Sequence, residues 1–102
     1  MIIKTINLTD AALDWAVHYA MHGKCEGYSP HEYSADWEQG GPIIEAWMID
    51  VGTYRSAWRA ARNVGIAPTY GYGPTPLIAA MRCYIASKLG DDVEIPEALC
   101  NQ

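Results

Sequence analysis

The stretch from Thr75 to Gly90, TPLIAAMRCYIASKLG, constrains the fold more than any other part of the chain. Thr75 stands where an N-cap belongs, Pro76 at the first helical position and Gly90 where a C-terminal glycine belongs. The pattern predicts a helix over Pro76–Leu89. Leu77, Ile78, Met81, Tyr84, Ile85 and Leu89 cover much of its circumference, so this helix must be wrapped on several sides and should be the centre of the fold. A chain of 102 residues has apolar surface for one such core, which predicts a single domain over residues 1–102.

Around that helix the remaining elements read as α+β: a small single domain with an antiparallel sheet packed by two helices. Residues 2–7 alternate weakly as a strand. Thr9 and Asp10 supply N-cap chemistry for a helix running to about Met21 and ended by Gly23, with Leu13, Ala16, Val17, Ala20 and Met21 as its buried stripe. Asp14, His18 and His22 recur four apart on another face, read as solvated; no metal site is expected from them. Lys24 to Gly41 reads as a polar loop. The run IIEAWMIDV after Pro42 reads as a strand in the middle of the sheet, covered by the Pro76–Leu89 helix. YRSAWRAARNVG is ambiguous between strand and helix. The strand reading, preferred at its start, pairs it with the preceding run across a turn near Gly52 and places Tyr54, Ser56 and Trp58 on one face, with Arg55 and Arg59 on the other. DDVEIPEALCNQ reads as an extended arm that closes a sheet edge or lies on a neighbouring subunit.

Several classes of function are disfavoured by composition. A formal net charge of -5 repels phosphate backbones, so duplex nucleic acid is not an expected partner. No apolar run approaches the roughly 20 residues that span a bilayer, and MIIKTINLTD lacks an export signal, so neither membrane insertion nor secretion is expected. Cys25, Cys83 and Cys100 form no CxxC pair, which points to reduced thiols rather than zinc or a disulfide framework. The chain has seven Tyr, four Trp and no Phe, so every aromatic ring carries a polar handle suited to half-buried sites and interfaces. That much adhesive surface on a small domain predicts a homo-oligomer.

The residues best suited to a ligand are polar aromatics and arginines. Arg55, Arg59 and Arg62 fall within eight residues of one another in an otherwise acidic chain, and guanidinium forks pair with phosphate or carboxylate. Arg82 interrupts the apolar helix and must either snorkel to water or meet a carboxylate or a ligand. Tyr33, Asp36 and Trp37 in the polar loop can stack and hydrogen-bond, and Thr75 opens the helix. No nucleophile motif accompanies His18, His22 or His31, so no catalytic residue, cofactor or enzymatic activity is expected.

Three blocks carry a family resemblance: ALDWAV at 12–17, DWEQGGPIIE at 36–45, and GYGPTPLIAAMRCYIASKLGDDVEIP at 71–96. In these the chain resembles the NinX-like proteins of tailed bacteriophages, and Trp15, Asp36, Trp37, Gly40, Gly41, Pro42, Thr75, Pro76 and Arg82 occupy family-like positions. The stretch between the first helix and DWEQGGP is shorter than the family pattern. The resemblance implies a phage accessory protein made in the host cytoplasm and implies no reaction. Two functions follow as expectations. One is sequestration of a small anionic nucleotide-type defence signal of the host, with Arg82 and the 55–62 arginines on phosphate and Trp37 or Tyr33 on a base. The other is an interaction module that modulates a host protein through a Tyr/Trp-rich surface.

Overall fold

The computed structural model describes residues 1–23, 31–63 and 67–100. In chain order the elements are β1 (Ile2–Lys4), a 3-10 turn (Thr5–Asn7), α1 (Asp10–His22), α2 (Trp37–Ala46), β2 (Asp50–Tyr54), β3 (Ala57–Arg62), β4 (Thr69–Gly73), α3 (Pro76–Leu89), β5 (Asp92–Glu94) and α4 (Glu97–Cys100). The architecture is α+β, with two antiparallel sheets: β2-β3-β4, and the short pair β1-β5.

Helix α3 forms as its sequence requires. The Thr75 hydroxyl accepts from the Ile78 amide at 3.1 Å, Pro76 occupies the first turn, and Gly90 ends the helix at φ 92. Met81, Cys83, Tyr84 and Ile85 are fully buried on it, together with Leu8, Leu13 and Val17 from the α1 side and Ile95 from the C-terminal arm. The helix lies against β4 because that strand presents glycine there. A Cβ on Gly71 would collide with the Ala79 carbonyl and the Cys83 amide, and one on Gly73 would meet Ile78 Cγ2 at 2.8 Å. Small residues thus bring backbone to backbone, and burial of α3 is bought with strand glycines.

The run at 43–49 is not the expected central strand. Residues 37–46 are helix α2, and β2 begins only at Asp50. The helix is set by its start: one Asp36 carboxylate oxygen accepts from the Glu38 amide at 2.9 Å and the other from Gln39 Nε2 at 3.1 Å, while Gln39 Oε1 accepts from the Glu32 amide. This arrangement is close to a capping box, and it turns Ile43, Ile44 and Trp47 inward at helical spacing. Pro42 lies inside the helix, where its missing N–H deprives only the exposed Glu38 of a donor for its carbonyl. The part of the expected loop at 37–41 is accordingly helical, and its segment 24–30 lies outside the described residues.

Four smaller expectations are also corrected. The first strand ends at Lys4 and pairs with β5, Ile3 opposite Val93, while Thr5–Asn7 close a 3-10 turn whose Thr5 hydroxyl donates to the Gly90 carbonyl. Met21 is exposed on α1, whereas Asp14, expected on the solvated face, is buried and accepts from the Ser34 amide at 2.9 Å. The hairpin turn falls at Arg55–Ser56 rather than near Gly52, with Tyr54 opposite Ala57 and Gly52 opposite Arg59. That register moves Tyr54 to the same face as Arg59 and sends Trp58 to the other.

Candidate functional site

The pairing of β2, β3 and β4 sorts their side chains cleanly. Val51, Trp58, Ala60, Gly71 and Gly73 turn toward α3. Gly52, Tyr54, Arg59, Ala61, Tyr70 and Tyr72 turn outward, where Tyr54, Tyr70 and Tyr72 remain about 40% exposed. The Arg59 guanidinium lies 4.7 Å from the centre of the Tyr54 ring and 5.3 Å from that of Tyr70, and the Arg55 guanidinium reaches within 5.5 Å of Tyr54 from the hairpin tip. Tyr54 and Tyr72 touch at 5.7 Å between ring centres. Beside Arg59 the missing side chain of Gly52 leaves a shallow cleft of about 210 Å³, bordered by Asp50 and Ala61. No carboxylate pairs with Arg59 or Arg55 among the described residues. Ring faces hold these cations without neutralising them, so their charge stays available to an anion.

The other expected site residues are placed elsewhere. Arg62 belongs to the opposite face of β3, where it lies 4.4 Å from the Trp47 ring, donates to the Trp47 carbonyl, and shares that ring with Lys88. Arg82 pairs with no carboxylate among the described residues: Nε donates to the Leu8 carbonyl at 2.9 Å and Nη1 to the Tyr72 carbonyl at 2.8 Å, tying the N-terminal segment to β4. Burial lowers its pKa. Tyr33 is buried with its hydroxyl 3.3 Å from His18 Nδ1, and Asp36 is occupied as the α2 cap.

Trp37 is 55% exposed and does share a groove of about 330 Å³ with Thr75. That groove is lined by one charged residue, the acidic Asp10, and by no cation, which leaves it ill suited to a phosphate. The three histidines gather instead around α1, with His18 and His22 ring centres 4.4 Å apart and His18 stacked on His31 at 5.4 Å. Burial, then the neighbouring His22 and His31, hold the His18 pKa below its ordinary value. Among the described residues no group of histidine, cysteine and carboxylate side chains is arranged to hold a metal. Cys83 is buried in the core, its thiol pushed up to about 11 chiefly by desolvation, so it is not a thiolate near neutrality.

The pattern of the family described as bacteriophage P22 NinX matches residues 22–88, about two thirds of the 102-residue chain. The chain belongs to the NinX family. The matched stretch holds α2, the whole β2-β3-β4 sheet and nearly all of α3, so the tyrosine–arginine face is part of the NinX unit itself. No curated protein matches the chain. Among the described residues no helix is long and apolar enough to cross a membrane.

Sequence reading found Arg55 and Arg59 but passed over Tyr54, Tyr70 and Tyr72. The signal for Tyr70 and Tyr72 was the alternation TYGYG at 69–73, large and glycine by turns, which is the period of a strand with one face pressed on a helix and the other open.

Proposed function

We propose that this NinX protein is a non-enzymatic binder that holds a small phosphate-bearing nucleotide of the host on the outer face of the β2-β3-β4 sheet. The observation that carries the reading is Arg59 lying between Tyr54 and Tyr70, in ion-pair contact with no carboxylate among the described residues and next to the cleft over Gly52. A guanidinium supplies a fork for phosphate and the tyrosines supply ring faces and hydroxyls for a base and sugar. Neither histidine nor cysteine lines the cleft, and the Asp50 carboxylate and Thr53 hydroxyl at its border alternate to opposite faces of β2, which supports a site that offers binding groups without a paired nucleophile and base. A phage protein that removes such a signal from solution needs only affinity and copy number.

The test is a thermal-shift titration of the intact protein with cyclic dinucleotides, cyclic mononucleotides and cyclised ADP-ribose derivatives, each alone. A ligand at a hundred times its dissociation constant should raise the unfolding free energy by about 2.7 kcal/mol, a shift on the order of ten degrees for a domain of this size. Arg59→Ala should abolish the shift while the melting point of the unliganded protein stays within a few degrees of the parent. Intact ligand should be recovered after heat denaturation. A cleaved product would replace the binder with an enzyme, and no response to any member of the panel would transfer the tyrosine face to the second expectation, contact with a host protein.

A further inference from the structure

The two edges of the three-stranded sheet are treated differently. In a two-residue hairpin the residues flanking the turn form a hydrogen-bonded pair, so Tyr54, Gly52 and Asp50 turn their amides and carbonyls toward β3, and Val51 and Thr53 turn theirs outward. The same alternation carried across β3 makes Tyr70 and Tyr72 the outward-facing residues of β4, and the Tyr72 carbonyl is indeed the one that Arg82 caps. The β4 edge therefore has its Tyr72 carbonyl capped by a charged side chain. At the β2 edge no hydrogen-bond partner stands opposite Val51 or Thr53 among the described residues.

A second observation concerns Gly52. It sits in the middle of β2 with no positive φ, and a Cβ built on it would meet nothing within 4 Å. Among the described residues nothing requires glycine there, although glycine weakens a strand. A glycine in such a position marks close approach by something outside the chain.

The ends of the strand say what that is. Asp50 begins β2 on the outer face, and Arg55 follows its last residue with its guanidinium turned to the same face, 5.5 Å from the Tyr54 ring. An edge that is acidic at one end and basic at the other complements a copy of itself run antiparallel.

We infer that two copies of this chain pair antiparallel along β2, about a two-fold axis through Gly52, to form one continuous six-stranded sheet. Gly52 then faces Gly52 of the partner subunit in a non-bonded pair, the closest approach of two strands. Val51 exchanges hydrogen bonds with the partner's Thr53, and Asp50 lies opposite the partner's Tyr54 and beside the partner's Arg55. Paired residues share a face, so both tyrosine–arginine platforms fall on the same side. The clefts over the two glycines merge into one trough floored by Gly52 from each copy, flanked by Arg59 from each, and walled at its ends by Tyr54 from each. The pairing itself does not depend on the ligand reading. The shape of the trough rests on it, and suits a ligand with two anionic groups.

Analytical ultracentrifugation of the unliganded full chain tests the pairing. A dimer mass is expected at micromolar concentration. Thr53→Pro removes an outward amide without touching the β2–β3 ladder and should give a folded monomer, its fold checked by circular dichroism. Asp50→Arg should weaken the dimer about tenfold, and the exchange D50R with R55D should restore it. A monomeric parent at high micromolar concentration overturns the inference, as does a folded T53P variant that remains dimeric. A charge-exchanged double variant no tighter than D50R overturns the antiparallel register. None of these readings involves nucleotide, so a failed ligand titration leaves them unchanged.

Discussion

The inner and outer faces of the β2-β3-β4 sheet are drawn from alternate residues of the same strands, yet they are built to opposite requirements. Inward, Ala60, Gly71 and Gly73 give up side-chain volume so that α3 can lie against strand backbone. Outward, Tyr54, Tyr70, Tyr72 and Arg59 keep large groups that no helix covers. A core that relies on a close helix–strand contact has little room for rings, and the rings are placed where their hydroxyls stay wet. The absence of phenylalanine is consistent with that division: the three tyrosines of this sheet are all on its open side. The difference between the faces teaches where to expect stability and where to expect binding.

The largest expected effect comes from breaking the inner face. In Gly71→Val the new Cβ meets the Ala79 carbonyl and the Cys83 amide, both backbone of α3, so relief requires the helix to move away from the sheet. Loss of about 4 kcal/mol or more is expected, in the range where a small domain no longer unfolds cooperatively. A thermal melt by circular dichroism that retained the parent's sharp transition would show that the glycine contact is not what seats α3.

Next in size is the edge between the two faces. Arg82→Met keeps the apolar stem but removes the bonds to the Leu8 and Tyr72 carbonyls. A cost of about 2–3 kcal/mol is expected, given the strength of hydrogen bonds from a charged donor. Arg82→Lys should recover little of it, because one ammonium lacks the fork that spans two carbonyls. Urea denaturation of both variants measures this. Full recovery in the lysine variant would mean that charge alone, and not the bridging geometry, ties β4 to the N-terminal segment.

What was legible in the sequence follows the same division. The α3 helix could be read because its cap, its proline and its closing glycine are local signals, and local signals act before tertiary structure does. The strand pair at 50–62 was half legible. Its turn was misplaced because Arg55 takes the left-handed conformation, φ 57, at a position where glycine or asparagine would have announced it. Helix α2 was missed because Gly-Gly-Pro reads as a turn, while the deciding contacts, Asp36 with Glu38 and Gln39, were present as D-x-x-Q and were not weighed. Arg82 was recognised as an anomaly but its partners were not, since main-chain carbonyls 10 and 74 residues away leave no mark in composition. Of the outer face only the arginines were visible, because a tyrosine identifies itself as exposed only once the register of its strand is known.

The contrast between covered and open positions can be sharpened on α1. Asp14 is buried, and desolvation raises its pKa above the ordinary value of 3.8 even though the Ser34 amide bonds to it. The folded state therefore binds this proton more tightly than the unfolded chain does. The carboxyl contributes most to stability below 3.8, and that contribution is lost as pH rises through the folded value. Asp14→Asn retains an acceptor for the Ser34 amide and removes the buried charge. It is expected to be more stable than the parent at pH 7, with the difference shrinking as pH falls and the parent's own carboxyl protonates. Paired urea titrations across that range decide it; an asparagine variant less stable at pH 7 would show the carboxylate's bond to Ser34 outweighing its desolvation.

The smallest expected effect sets one glycine against another. Gly52 and Gly71 sit in the two edge strands of one sheet, but a methyl group at 52 enters open space while one at 71 strikes helix backbone. If the strand glycines served a common purpose, replacing either with alanine would destabilise the fold. If Gly52 answers only to contacts outside the chain, Gly52→Ala removes conformational freedom from the unfolded state and adds no clash. It should then raise the stability of the dilute monomer by about 0.5 kcal/mol. Chemical denaturation at a concentration where the parent is monomeric makes the measurement, with Gly71→Ala as its partner. A destabilised G52A variant would mean that the outer face is packed more tightly than its exposure indicates, and the division between a face for folding and a face for binding would lose its cleanest case.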